Sequence, residues 1–206
     1  KLDLFKWISF HGYTMNPDDE YPQQAWLEAT LRKYSDKIQL RQGENGAPSG
    51  YCNEFTLRKY NWTEISQAKW DARRMLGDLG HDVESSIFSI IDMYYLRNKT
   101  LNVKGLIQSD STLRALRPKI AFYTVQNIAS VFDNKLERIK DYKYEAKTQK
   151  SISVFGYRSK SSGKQLATIW FDGKVPSDTF ETSMVDLSVE NGDFKHPVWV
   201  DLFSGR

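Results

Sequence analysis

The chain has 206 residues, a formal net charge of +3 at pH 7 and 40% hydrophobic residues, which suits a globular protein of one or two domains. It contains no run of about eighteen apolar residues, so the sequence predicts no membrane-spanning helix. Because there is one cysteine, Cys52, and the three histidines lie far apart, we expect no intramolecular disulfide, no metal ion and no cofactor.

Five segments in the first half of the chain alternate between strand and helix patterns. Residues 2–10 predict an apolar strand, residues 21–34 a helix, and residues 39–42 a second strand. Residues 63–79 again have helical spacing, and residues 85–95, rich in Ile, predict a third, buried strand. Strands separated by helices indicate parallel strands with helical crossovers, so we expect an α/β fold.

Each predicted strand ends in side chains that can carry chemistry. The first ends before His11 and Tyr13, and the second runs into Glu44 just before a turn. The third ends near Asp92 and Tyr94. Strand ends that feed loops are where barrel enzymes place reactive residues. Glu44 is therefore the first candidate for a reactive carboxylate.

Three motifs together resemble a known enzyme family. They are Ser-Phe-His11-Gly-Tyr13-Thr, Arg-Gln-Gly-Glu44-Asn45-Gly-Ala-Pro-Ser, and Ala-Arg-Arg-Met-Leu-Gly-Asp-Leu at residues 72–79. With these motifs, residues 1–134 resemble strands six to eight of the retaining glycoside hydrolases of clan A, which have a (β/α)8 barrel. The resemblance implies that Glu44, at the end of the seventh strand, is the nucleophile. It also implies that His11 and Tyr13 line the sugar subsite and contact the nucleophile.

The second part of the chain has a different pattern. Residues 120–132 keep helical spacing and resemble the closing helix of such a barrel, and from about Lys140 the hydrophobic period switches to two. Short strands are predicted at residues 151–157, 165–171, 182–189 and 197–203, with turns at residues 161–163, 172–173 and 191–193. We therefore expect two domains: a partial (β/α)8 TIM barrel over residues 1–136, and an antiparallel β-sandwich-like module over residues 137–206.

Retaining hydrolysis needs two carboxyl groups about 5–5.5 Å apart, one as the nucleophile and one as the acid/base. In the family, the acid/base is a glutamate that follows an asparagine at the end of the fourth strand. Asn53-Glu54 has this dipeptide but follows Glu44 in the chain, so we interpret it as a coincidence. The expectation is a glycosidase fragment that carries the nucleophile, lacks the acid/base and is inactive alone.

The partner implied by the resemblance is a carbohydrate substrate. Besides His11 and Tyr13, the candidates for sugar contacts are Asn45, Asp92 and Tyr94. A partial barrel has open sheet edges, so we expect copies of the chain to associate through them. Neither a nucleic acid nor a membrane is expected as a partner, because the basic residues are scattered among acidic ones. The sequence assigns no localisation.

Two other functions fit the same residues. The first is a non-catalytic carbohydrate-binding or interaction protein, which gains support if no second carboxylate lies near Glu44. The second is an unrelated α/β enzyme in which His11, Glu44 and Asp92 meet in one closed pocket.

Overall fold

The computed structural model describes residues 4–190, 192, 194 and 196–206, and over these residues the chain forms three α-helices and eleven short strands. The helices are α1 (Tyr21–Arg32), which follows a 3-10 turn at Pro17–Glu20, α2 (Glu64–Gly80) and α3 (Ile120–Val131). The strands are β1 (Trp7–Phe10), β2 (Gln39–Gln42), β3 (Met93–Tyr95), β4 (Thr100–Asn102), β5 (Ile107–Ser109), β6 (Ala115–Pro118), β7 (Leu136–Arg138), β8 (Tyr144–Lys147), β9 (Ile152–Ser159), β10 (Gln165–Phe171) and β11 (Asp186–Val189). Residues 2 and 3 of the first predicted strand, and Asn191 and Asp193 of the predicted turn, lie outside the described residues.

The three helices predicted from hydrophobic spacing are confirmed. α2 begins at a capping box: the Ser66 N–H donates to Thr63 Oγ1 at 3.2 Å, and the Thr63 N–H donates to Ser66 Oγ at 2.8 Å. Its buried face packs against α3 around Ala68, Leu106 and Ala121. In the described part of the chain, none of the helices is both long and apolar enough to cross a lipid bilayer.

The predicted α/β fold with a partial (β/α)8 barrel is wrong. The described strands form five small sheets, of which only β1–β2 is parallel, and they do not close into a barrel. Residues 85–95 do not form one parallel strand. One isolated bridge, at Glu84, precedes this segment and another lies within it at Ile91. Residues 85–92 are otherwise irregular, and β3 then pairs antiparallel with β4. An apolar run reports burial, but it does not determine which strand a segment pairs with.

The one parallel pair brings two strand ends together. β1 and β2 are in register from Trp7 opposite Gln39 to Phe10 opposite Gln42, and the Gly43 N–H donates to the Phe10 carbonyl at 2.9 Å. The residues that follow each strand therefore start side by side. Among the described residues β1 pairs with β2 alone, so its other edge is open. Association of copies through this edge stays a prediction.

The second part of the chain contains antiparallel strands, divided between the sheets β7–β9–β10 and β8–β11. The hairpin β9–β10 confirms the strands predicted at residues 151–157 and 165–171. β11 is shorter than the predicted strand 182–189, and the strand predicted at residues 197–203 is wrong, because this segment is irregular and ends in a turn. Alternating apolar residues there find no partner strand in the described chain.

The β7–β9–β10 sheet and the segment after it pack against the helical part. Trp170 Nε1 donates to Asp18 Oδ1 at 3.0 Å, and Tyr60 Oη donates to the Pro176 carbonyl at 3.1 Å. Gly80, at the end of α2, lies against the ring of Phe155. These contacts fix the orientation of α2, which also supports the loop after β2.

Candidate functional site

Glu44 lies at the carboxyl end of β2, where the parallel pair brings it beside the end of β1. Its backbone N–H donates to Gln42 Oε1 at 3.3 Å, and the preceding Gly43 N–H is bonded to β1. The Glu44 side chain is 35% exposed, so its carboxylate can meet a ligand from solvent. The backbone around this carboxylate is thus held on both sides while the carboxylate itself stays accessible.

Two residues that follow β1 contact the two oxygens of this carboxylate. Tyr13 Oη donates to Glu44 Oε1 at 3.0 Å, and His11 Nδ1 lies 3.6 Å from Glu44 Oε2. The His11 side chain is about half exposed, whereas Tyr13 packs against a core cluster that contains Trp70. The structure therefore brings together the three residues that the resemblance implied would meet.

Tyr13 is suited to remain a hydrogen-bond donor. Burial raises the pKa of Tyr13 above its usual range, and the charge of Glu44 and the hydrogen bond to it raise this pKa further. The phenol therefore stays protonated at neutral pH. A protonated phenol that donates to a carboxylate favours the ionised form of that carboxylate.

Lys104, between β4 and β5, is a neighbour of this group that the sequence did not indicate. Its Nζ lies 4.0 Å from the centroid of the Tyr13 ring and donates to Thr56 Oγ1 at 2.5 Å. Burial lowers the pKa of Lys104 to about 8, against the opposing effect of Asp71, Cys52 and Glu44. A lysine beside a glycine in a short loop is ordinary in sequence, so no signal distinguishes it.

Asp71, on α2, anchors the loop after Glu44. Its Oδ1 accepts a hydrogen bond from the Ala47 N–H at 3.2 Å, and its side chain is fully buried. Burial raises the pKa of Asp71 to about 7, opposed by the Ala47 hydrogen bond and by the ammonium groups of Lys104 and Lys119. A signal did exist for this residue, because Asp71 is an acidic residue on the helix face that is otherwise occupied by Trp70 and Ala68.

Asp92 has a structural role in place of the predicted sugar contact. Its Oδ1 accepts from Lys119 Nζ at 2.5 Å and from the Gly105 N–H at 2.9 Å, and its Oδ2 accepts from the Ser109 N–H at 3.4 Å. The residue is buried. The carboxylate is thereby committed to holding the segment next to Lys104, and it does not form one pocket with His11 and Glu44.

Asn45 and Tyr94 also do not join the group as predicted. The Asn45 side chain is fully buried and forms no hydrogen bond within the described structure, so it faces the interior rather than a ligand at the surface. Tyr94 lies in β3 opposite Leu101, and no described hydrogen bond or ion pair connects it to Glu44. The physical reason is that adjacency in sequence to Glu44, or to a strand end, does not set the direction of a side chain.

No second carboxylate makes a hydrogen bond or ion pair with the Glu44 group in the described residues. Glu54 is partly buried and accepts a hydrogen bond from Asn98 Nδ2 at 3.0 Å, and its interpretation as a coincidental match stays a prediction. The described residues also contain no group of three or more His, Cys, Asp or Glu side chains that could hold a metal ion. Among the described contacts, this group therefore consists of one carboxylate with Tyr13 and His11 on its two oxygens.

Two surface clefts lie away from Glu44. One, of about 210 Å³, is lined by residues that include Tyr142 and Arg158, and the other, of about 290 Å³, lies near Arg138 and Tyr157. The geometry of donors around Glu44, and not the size of a cavity, is what distinguishes it as the candidate site.

The chain was compared with known proteins. No protein-family model matches it, and no curated protein matches it either. These comparisons lend no support to the resemblance to clan A glycoside hydrolases, so a functional proposal has to rest on the geometry around Glu44.

Proposed function

We propose that this protein takes part in the retaining hydrolysis of O-glycosides, with Glu44 as the carboxylate that attacks the anomeric carbon. The observation that carries the proposal is the arrangement of Tyr13 and His11, one on each oxygen of a carboxylate that remains accessible from solvent. A nucleophilic carboxylate has to be ionised and held in one orientation. A hydrogen bond from Tyr13 favours an ionised carboxylate. The contacts from Tyr13 and His11 together favour a single orientation of it.

The reaction proceeds in two steps. An oxygen of Glu44 forms a bond to the anomeric carbon while the bond to the leaving oxygen breaks, and water later hydrolyses the glycosyl ester, so the configuration is retained. The leaving oxygen needs a proton from a second carboxyl group about 5–5.5 Å from the nucleophile. That proton comes from a group outside the described contacts of Glu44. We therefore expect the chain alone not to hydrolyse glycosides whose leaving group must be protonated.

A covalent-labelling experiment tests the role of Glu44 without a proton donor. Fluorinated dinitrophenyl glycosides release a dinitrophenolate that needs no proton, and the fluorine slows hydrolysis of the glycosyl ester. The protein is incubated with a panel of such compounds that covers the common pyranose configurations. We expect intact-mass measurement to show the addition of one fluorosugar, and peptide mapping to place it on Glu44.

Two variants make this experiment specific. Glu44→Gln should not be labelled, because an amide is a poor nucleophile. Glu54→Gln, which alters a partly buried glutamate that accepts a hydrogen bond from Asn98, should be labelled at the rate of the unchanged protein. Labelling of Glu44→Gln at an undiminished rate, or no labelling of the unchanged protein by any sugar in the panel, contradicts the proposal.

A non-catalytic carbohydrate-binding protein is the second candidate. The observation that favours it is that the two other candidate carboxylates already have partners, Glu54 with Asn98 and Asp92 with Lys119. This function predicts that sugars shift the NMR resonances of His11 and Tyr13 reversibly, with no covalent addition from any compound of the panel.

A further inference from the structure

Lys104 is a buried cation in direct contact with the Tyr13 ring. It is 1% exposed, and its Nζ lies 4.0 Å from the ring centroid. An ammonium group over an aromatic ring is attracted to the ring face, and this attraction strengthens when water is excluded. The contact therefore restrains the ring whose hydroxyl donates to Glu44.

The position of Lys104 is fixed by its neighbours. Its carbonyl accepts hydrogen bonds from Gln67 Nε2 at 3.2 Å and from the Ser89 N–H at 3.3 Å. Its Nζ is held by Thr56, and the following residue, Gly105, is held by Asp92. A lysine held in this way at both its backbone and its ammonium group keeps its charge in one place.

The charges that face Lys104 come from three segments of the chain. They are Asp71 on α2, Cys52 in the loop after β2, and Glu44 at the end of β2. Burial raises the pKa of Asp71 to about 7 and raises the pKa of the Cys52 thiol, so both groups are neutral in mildly acidic solution. Burial lowers the pKa of Lys104 to about 8, so the ammonium remains charged there.

We propose that Lys104 is a positioning residue for Glu44: its buried ammonium holds the ring of Tyr13, whose hydroxyl donates to Glu44, and places a positive charge beside this hydrogen-bonded pair. Lys104 touches neither Glu44 nor a substrate in the described structure, and it acts through Tyr13 and through its charge. This inference rests on the proposed function of Glu44 as a nucleophile.

The test is an NMR titration that requires no sugar. The protein is labelled with ¹³C at glutamate side chains, and the Glu44 carboxyl resonance is assigned by its loss in Glu44→Gln. In Lys104→Met, we expect the pH midpoint of this resonance to rise by about one unit relative to the unchanged protein, because a nearby positive charge is removed. Lys104→Arg, which keeps the charge, should restore the midpoint.

A matched control uses a second lysine that stands over a ring elsewhere. Lys69 Nζ lies 4.1 Å from the centroid of the Phe180 ring and donates to the Ser177 and Thr179 carbonyls, so Lys69→Met removes a similar contact that involves neither Tyr13 nor Glu44. The Glu44 midpoint should not move in this variant. An equal shift in Lys69→Met, or no shift in Lys104→Met, would overturn the role of Lys104.

A second variant protects the test if Lys104→Met fails to fold. Lys104→Met combined with Asp71→Asn removes the buried cation together with its buried acidic neighbour, and it should show the same rise in midpoint, since Asp71 is already neutral in mildly acidic solution.

A midpoint that shifts as expected in a protein that no fluoroglycoside labels would reject the nucleophile proposal and leave the electrostatic coupling in place. A midpoint that stays fixed in a labelled protein would reject the coupling alone.

Discussion

At the scale of single residues, Gly43 sets how closely the ends of β1 and β2 approach each other. A Cβ atom at this position would overlap Ser9 Oγ and lie 3.4 Å from His11 Nε2. The hydrogen bond from Gly43 to Phe10 forms at the same point. The requirement for glycine here is therefore close packing, and the contact between His11 and Glu44 depends on it.

Gly43→Ala should separate the two strand ends. We expect a loss of about 1–3 kcal/mol in the free energy of unfolding from overpacking. Labelling of Glu44 by the reactive fluoroglycoside should also slow by about tenfold or more, because orientation is lost. Urea denaturation and the rate of mass addition measure the two effects.

Gly50→Ala is the control for this prediction. A Cβ atom there would meet nothing within 4 Å, so its unfolding free energy should stay within about 1 kcal/mol of that of the unchanged protein. If both alanine variants behaved alike, close packing at Gly43 would not be what holds the site.

At the scale of secondary-structure elements, α2 connects the candidate site to the rest of the molecule. It carries Asp71, which holds the loop after Glu44, and Gln67, which holds Lys104. It begins at the Thr63 capping box, and the Thr63 hydroxyl also bonds to Asp178 from the second part of the chain. Thr63 therefore contributes both to the stability of α2 and to the packing between the two parts of the chain.

Thr63→Ala should weaken this start. Loss of the side-chain cap costs about 1 kcal/mol in the free energy of unfolding. Urea denaturation provides the measurement. Thr182→Ala, at an exposed position with no described hydrogen bond, should change the free energy by less than about 0.5 kcal/mol. Equal stability of the two variants would show that the capping box contributes nothing.

At the scale of the whole molecule, the interior holds many ionisable groups. Arg74 and Asp78 form a pair at 3.0 Å with both side chains fully buried, and Lys119 pairs with Asp92. Burial raises the pKa of Asp78 to about 6, although Arg74 opposes this, and burial also raises the pKa of Glu20. Water lost from these groups on folding costs free energy that their partners only partly restore.

These raised carboxyl pKa values determine the sign of the pH dependence. Between the unfolded value, near 4, and the folded values of about 6 to 7, the folded protein binds more protons than the unfolded chain. The contribution of these groups to stability is therefore fully present below pH ~4 and is lost as the pH rises towards about 7. We expect urea denaturation to give a larger free energy of unfolding at pH 5 than at pH 7.

Asp71→Asn should flatten this dependence. The amide oxygen can still accept the Ala47 N–H, but an asparagine cannot ionise in the interior as the pH rises. The fall in unfolding free energy between pH 5 and pH 7 should shrink by about 2 kcal/mol, measured by urea denaturation at each pH. Glu137→Gln, which alters an exposed carboxylate, should keep the original slope. An unchanged slope in Asp71→Asn would mean that this buried carboxyl group does not titrate as described.

Several features follow from the sequence. Helical spacing over residues 63–79 predicted α2, and the turn at residues 161–163 between two alternating segments predicted the β9–β10 hairpin. The strand at residues 39–42 correctly placed Glu44 at a strand end, and the family resemblance named Tyr13 and His11 as its neighbours. These features depend on patterns that repeat over a few residues, such as burial on one face and the caps at an element's end.

Other features were decided only by the tertiary structure. Residues 85–95 have the apolar composition of a parallel strand, but β3, which lies within them, pairs antiparallel with β4. Asp92 is buried and accepts a hydrogen bond from Lys119. Lys104 Nζ contacts the ring of Tyr13, although the two residues are ninety-one positions apart in the chain. Local periodicity reports which side of a segment is buried, whereas strand partners and the charges beside a carboxylate depend on residues distant in sequence. For that reason the sequence by itself located the carboxylate at a strand end, whereas only the fold brought the distant residues Asp71 and Lys104 to its surroundings.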